Sequence, residues 1–368
     1  MTPPPWSPPP DWIRVTTLDV HAAGEPLRIV TGGLPEIPGS TILEKRRYAR
    51  ERMDALRTAL LWEPRGHADM YGAILTDPVT PDGDAGVLFL HNEGFSTMCG
   101  HGIIGLAMAG VEGGVLELGS GRGDAPEPGS GFGPGDVLEP GSGPGQEGVL
   151  KLDTPAGRVR AFVEREDHRI VSATFLNVPS FVLALDQEVE VEGLGRVCYD
   201  VAFGGAFYAF CRADDLGLSL EPRGFRSLIE AGMRIKRAVM ASLPIRHPFE
   251  ADLGFLYGTI FVGEARDSGH HSRNVCIFAE GEVDRSPTGT GVSARAALHY
   301  TRGELKVGES FTVESILGTT FTGRVEETTR FGDHDAVIPS VTGTSFITGR
   351  NELLLDPRDP LRNGFILR

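Results

Sequence analysis

The chain has 368 residues, 35 of them basic and 50 acidic, for a formal charge of −15 at pH 7. That negative surplus argues against nucleic acid and anionic membrane as partners, because both bind through cationic surfaces. The length allows two cores, no apolar run is long enough to span a bilayer, and the proline-crowded start (Pro3, Pro4, Pro5, Pro8, Pro9, Pro10) lacks the basic-then-apolar plan of a secretory leader.

In chain order, Trp12 to Val20 alternates as a strand and turns through His21-Ala22-Ala23-Gly24-Glu25 into a second, ending near Val30. His21 and Glu25 are first read as turn residues. Ser40 is placed as the cap of one helix from Thr41 to Trp62, ended by Pro64. Arg65 to Leu75 is a turn leading into a strand, where His67 and Asp69 are expected to bond each other and close the loop. Gly86 to His91 is a strand that delivers the chain to Met98-Cys99-Gly100-His101-Gly102. From Ile103 to Val111 apolar residues occupy both helix faces, so this helix is expected to be buried all round.

From Gly119 to Gly148 glycine and proline exceed half the residues, and Val115 to Gly121 recurs almost unchanged as Val137 to Gly143. Such a stretch has too little apolar side chain to offset ordering entropy and reads as a flexible surface loop. The Arg122-Gly123-Asp124 within it is a chance tripeptide. Strands follow at Val149–Thr154, Val159–Val163 and Ile170–Leu176, and Pro179 marks a crossing into a second half. There Val189–Val201, Ala206–Cys211, Gly254–Val262 and Asn274–Ala279 read as strands, with a helix near Phe225–Met240. Gly269-His270-His271-Ser272 is a polar loop and not a metal site, since adjacent residues of an extended segment face opposite ways. After a second small-residue helix come strands at Phe311–Ile316, Thr320–Glu326 and Ala336–Thr348, and Arg350–Arg368 returns to brace the first half. The first lobe is thus set at 11–178 plus 342–368, the second at 179–341. The four cysteines, Cys99, Cys198, Cys211 and Cys276, have no metal-ligand spacing and read as free thiols in a reducing cytoplasm, the last three in the core.

Two stretches repeat one plan. Cys99-Gly100-His101-Gly102 and Thr288-Gly289-Thr290-Gly291 align position by position, each leading into a helix of small apolar residues. Helix N-termini carry free N–H groups and favour anions. Two tips aimed at one site would hold a carboxylate, with Cys99 on one side of the ligand and Thr288 on the other. The dipole is also expected to help the Cys99 thiol ionise.

These residues resemble the proline racemase family, most nearly its trans-3-hydroxy-L-proline dehydratase branch. The likeness runs through His21–Ile29 (HAAGEPLRI), Glu63–Gly72 (EPRGHADMYG), His91–Gly102 (HNEGFSTMCGHG) and Asp284–Gly291 (DRSPTGTG). It implies an α/β fold of two pseudo-symmetric lobes on the diaminopimelate-epimerase plan, each a curved sheet around a central helix, with the active site between them. It further implies a homodimer, a small imino acid as substrate, and neither cofactor nor metal.

In racemases of the family both X-G-X-G positions are cysteine and trade a proton across the α-carbon. Here Thr288 holds the second position, and a threonine hydroxyl is too weak an acid or base for that exchange. By resemblance the Cys/Thr pair marks the dehydratase, with Cys99 as proton carrier and His101 assisting the leaving group. Backbone N–H groups of Gly100, His101, Gly289 and Thr290 would cradle the carboxylate, and Asp284 with His101 would hold the ring nitrogen. A proline or 4-hydroxyproline racemase, served by water beside Thr288, and a non-catalytic imino-acid-binding protein stay open as alternatives.

Overall fold

A computed structural model describes residues 6–118 and 146–367. Most of the Gly/Pro-rich stretch expected to be a surface loop lies outside the described residues; its end, Gln146–Gly148, already belongs to a strand. The first run of elements is β1 (Ile13–Ala22), β2 (Glu25–Gly32), α1 (Ile42–Arg52), α2 (Asp54–Leu61), β3 (Tyr71–Thr76), β4 (Ala85–His91), β5 (Gly94–Phe95), α3 (Gly100–Gly105), β6 (Gln146–Thr154), β7 (Gly157–Glu166) and β8 (Arg169–Leu176). The second is β9 (Ser180–Val191), β10 (Gly195–Phe203), β11 (Phe207–Arg212), α4 (Phe225–Ser242), β12 (Leu256–Gly263), β13 (Ser272–Phe278), β14 (Glu282–Asp284), α5 (Gly289–Thr301), β15 (Ser310–Glu314), β16 (Thr320–Phe331) and β17 (His334–Gly343), followed by β18 (Ser345–Leu355).

Strand pairing spells the same sentence twice. One curved sheet runs β18-β1-β2-β3-β4-β6-β7-β8, with β2/β3 and β4/β6 parallel and the other pairs antiparallel. The other runs β9-β10-β11-β12-β13-β15-β16-β17, with β11/β12 and β13/β15 parallel at the matching places. The parallel pairs need crossovers, and helices supply them: α1 and α2 or α4 for one pair, α3 or α5 for the other. The sheets meet where β17 pairs with β8 through Ser340–Gly343, while the pairing of β17 with β9 through Ala336 and Val337 closes the second sheet on itself.

Each sheet wraps the helix that ends its short β5 or β14 hairpin. Ile103, Ile104, Leu106 and Ala107 are fully buried, as are Val292, Ala294 and Ala296. Small residues permit this closeness. A Cβ on Gly105 would sit 2.8 Å from a Leu27 methyl, and one on Gly291 2.4 Å from an Ile260 methyl. Among the described residues no helix is long and apolar enough to cross a membrane.

Several local expectations differ from what is found. Thr41, not Ser40, caps α1, in a capping box with Glu44. The single helix to Trp62 breaks at Met53, because Arg57 and Trp62 donate to the carbonyls of His91 and Asn92 and fix α2 against the end of β4. The helix after Cys99 widens to a π-helical turn at Leu106–Gly110; an all-apolar surface does not select between helix types. Val189–Val201 is a hairpin folded at Gly193 and Gly195, both at positive φ, and Ala336–Thr348 spans two strands. Cys198 is exposed, since its neighbours Val197 and Tyr199 take the inward face of the strand.

Candidate active site

The short hairpins β4/β5 and β13/β14 aim α3 and α5 at each other, and the helix tips touch. A Cβ built on Gly100 would lie 2.6 Å from Gly289 Cα, and one on Gly289 2.8 Å from Gly100 Cα. Backbone therefore meets backbone, which only glycine allows. The first-turn N–H groups of both helices have no acceptor inside their own helix. Cys99, Gly100, His101, Asp284, Thr288, Gly289 and Thr290 all line one cavity. It leaves about 20 Å³ open to the centre of a water molecule, room for one or two waters and not for a five-membered ring. The lobes are closed here.

The tips are not equivalent in detail. Cys99 is extended (φ −145°, ψ 107°), and its Sγ accepts the Gly102 N–H at 3.2 Å, capping α3. Thr288 sits in the left-handed region at φ 65°, which is strained for a β-branched residue. Its backbone is held by the Ser286 hydroxyl, which accepts the Thr288 N–H at 3.1 Å, and by the Val292 N–H, which reaches the Thr288 carbonyl at 2.8 Å. Thr288 Oγ1 is buried beside Asp284 and Cys276, whose ionisation its hydroxyl eases.

Electrostatics corrects one expectation. Burial pushes the Cys99 thiol well above its ordinary range, and the Gly102 N–H only partly opposes this. Desolvation outweighs the helix end because the closed cavity admits too little water to solvate a thiolate. His101, whose Nδ1 is 3.2 Å from Cys99 Sγ, is driven down to about 3 by burial, then by the Arg285 charge. The resting pair is thus a neutral thiol beside a neutral imidazole. Asp284 is raised by burial, while its Oδ1 accepts the Ser286 N–H at 2.7 Å. It braces the turn before Thr288 and does not cap α5.

The remaining wall is aromatic: Tyr71, Tyr208, Tyr257 and Phe278, with Met98 and Cys276. The Tyr71 and Tyr257 hydroxyls are 3.2 Å apart, and Tyr208 Oη lies 2.7 Å from Thr290 Oγ1. The Tyr71 ring meets His101 edge-on at 4.8 Å. None of the four aromatic residues was singled out by sequence reasoning. Their one signal was Tyr71 itself, at the end of the Glu63–Gly72 motif; the others reach the cavity only through sheet curvature.

Two other expected pairs resolve differently. His67 Nδ1 is 2.7 Å from the Ala68 carbonyl, and Asp69 instead belongs to Arg285, which donates to its carbonyl at 2.7 Å. Glu25 is fully buried, accepts the backbone N–H of Arg285 at 2.7 Å and forms an ion pair with its guanidinium at 2.9 Å. It is therefore a clasp between the first sheet and the residue beside Asp284, not only a turn residue. His21 accepts the Gly24 N–H and does remain one.

The family profile described as "Proline racemase" matches residues 17–125 and 137–366. The chain belongs to the proline racemase family. A protein from Colwellia psychrerythraea named trans-3-hydroxy-L-proline dehydratase is 44% identical over 357 residues, covering 97% of this chain and 94% of its own. A proline racemase from Clostridioides difficile is 40% identical over 96% of this chain and 98% of its own. The crystal structure of a hydroxyproline epimerase from Agrobacterium vitis, with bound trans-4-hydroxy-L-proline, superposes at a TM-score of 0.85 with 32% identity, over 97% of this chain and 96% of that one. This member of the proline racemase family is accordingly an enzyme with the family's two-lobed α/β fold, and its relatives act on proline-type imino acids by more than one reaction.

Proposed function

We propose that the protein dehydrates trans-3-hydroxy-L-proline to 1-pyrroline-2-carboxylate. The observation that carries the reading is the pair of abutting helix tips, one ending in Cys99 and the other in Thr288, on a single closed cavity. The substrate carboxylate sits against the first-turn amides of Gly100, His101, Gly289 and Thr290. Each such charge-assisted bond contributes roughly 1.5–3 kcal/mol, and the cradle gains strength as charge spreads from the α-carbon into the carboxylate. Asp284 faces the cationic ring nitrogen. That cation also offsets the burial that keeps the Cys99 thiol protonated, so Cys99 ionises with substrate in place.

The substrate's own stereochemistry needs one acting face. In trans-3-hydroxy-L-proline the α-hydrogen and the 3-hydroxyl lie on the same side of the ring. Cys99 takes the α-proton as thiolate and hands it, as thiol, to the departing oxygen. His101, neutral and in contact with Sγ, orients the sulfur between these two positions. The enamine left by loss of water tautomerises to the pyrroline. Thr288 closes the opposite face without serving as an effective base.

The test is incubation of the purified protein in D₂O with trans-3-hydroxy-L-proline and, separately, with L-proline. Pyrroline formation that is lost in Cys99→Ala supports the reading. Racemisation of L-proline faster than any dehydration overturns it in favour of a racemase, and binding without turnover of either compound overturns it in favour of a non-catalytic role.

A further inference from the structure

The protons around Cys99 are mostly committed, and one is not. Cys99 Sγ meets the Gly102 N–H, the His101 ring and the Tyr71 hydroxyl, the last of which eases its ionisation. The Gly102 N–H is spent on the sulfur. A neutral imidazole carries a single N–H, and the acceptor beside the His101 ring is the Pro26 carbonyl, so the nitrogen turned to Sγ accepts. His101 therefore has no proton to give a leaving group. Ser96, beside both Tyr71 and Tyr257, donates its proton to the Met98 carbonyl at 2.9 Å. The Tyr71 and Tyr257 hydroxyls, 3.2 Å apart, have room for one proton between them. With Tyr257 supplying it, the Tyr71 proton is free to point at the sulfur and the cavity. Burial pushes both phenols well above their ordinary range, so each keeps its proton at neutral pH. Among the described residues, the first run of elements contributes Tyr71, Met98, Cys99, Gly100 and His101 to the cavity wall, and of these only Tyr71 carries a hydroxyl. It stands on the Cys99 side, which the substrate's 3-hydroxyl faces.

We propose that Tyr71, aimed by Tyr257, is the acid that protonates the departing 3-hydroxyl, and that the Cys99 proton reaches the leaving oxygen by way of Tyr71. The proposal rests on the dehydration read above and deepens it. Cys99 thiolate takes the α-proton, and the C–H electron pair becomes the second bond between the α-carbon and C3. The C3–O pair leaves with the oxygen, which takes the Tyr71 O–H proton and departs as water. The Cys99 S–H then refills the tyrosinate oxygen and is a thiolate again, so charge and protons balance with no co-reactant. Both transfers run downhill, since a phenol is a stronger acid than water and a thiol a stronger acid than a phenol. Tyr71 opens β3 and Tyr257 lies near the start of β12, its counterpart in the other sheet, so the acid is aimed as the sheets close on each other.

The experiment compares the wild type with Tyr71→Phe and Tyr257→Phe on trans-3-hydroxy-L-proline and trans-3-fluoro-L-proline. Pyrroline is followed from both compounds and fluoride from the second, with thermal unfolding measured for each protein. Fluoride leaves without a proton, so the fluoro compound reports Cys99 alone. Tyr71→Phe should lower kcat for the hydroxy compound by about 10²-fold or more, as loss of a positioned acid does, and keep fluoride release within about threefold of wild type. Tyr257→Phe should show the same selective loss to a smaller degree, and an unchanged ratio there overturns its aiming role. An equal fall on both compounds in Tyr71→Phe assigns the residue to packing and overturns the proposal. Undiminished dehydration by the folded variant overturns it too, as does a wild type that dehydrates the hydroxy compound but spares the fluoro one. A wild type that forms no pyrroline from trans-3-hydroxy-L-proline instead overturns the dehydratase reading itself, and the proposal with it.

Discussion

Replacing Gly100 by alanine tests the cradle directly. The new Cβ would lie 2.6 Å from Gly289 Cα and 2.8 Å from its carbonyl carbon, about 0.8 Å inside the 3.4 Å at which ordinary contact begins for the nearer atom. Both obstacles are backbone, so no side chain can swing aside and the helix tips must part by most of that distance. A displacement near 1 Å in a preorganised site costs on the order of 10²-fold in turnover, or about 2.7 kcal/mol. Steady-state dehydration of trans-3-hydroxy-L-proline, with thermal unfolding measured alongside, reads the effect. Gly349→Ala, on β18 with nothing within 4 Å of the added carbon, serves as control and should leave kcat unchanged. A folded Gly100→Ala protein with kcat within threefold of wild type would refute the claim that abutting tips form the site.

Thr288→Cys should speed α-proton exchange with inversion on L-proline, because it places a titratable sulfur on the second face; chiral chromatography in D₂O checks this, and a folded variant no faster than the wild type contradicts the two-faced geometry. Stability should fall on acidification. His101 is held near 3 in the folded protein against about 6.5 free, so the unfolded chain takes up a proton first; the stabilisation is complete above pH 6.5 and is lost as pH drops toward 3, about 2 kcal/mol by pH 5. Denaturant titrations of wild type and His101→Gln at pH 7 and 5 should show a shallower loss in the variant, and parallel losses would assign the slope to other groups.

The paired helix tips and their burial were legible because X-G-X-G followed by small apolar residues leaves little alternative to a close-packed helix start. So were β1, β2 and the helix at Phe225–Ser242, where periodicity and turn residues agree. What escaped was set by tertiary contact. Met53 breaks α1 from α2 without glycine or proline, because Arg57 is drawn to carbonyls some 35 positions away in the chain. The Cys99 thiol looked acidic from its helix position alone; the seal of Tyr71, Tyr257 and Phe278 around it, which reverses that, comes from three different strands. Glu25 reads as a turn residue until the fold brings Arg285 against it.

The pairing of β1 with β18 sets Ile13 opposite Leu355. A ribosome working at roughly 5–20 residues per second needs on the order of 20–60 s to make the partner of a strand it has already released. Through that interval β1 has one bare edge, the kind of surface that recruits strangers. Vectorial synthesis therefore cannot finish the first lobe before the second, and the last strand to emerge is the one that seals the first.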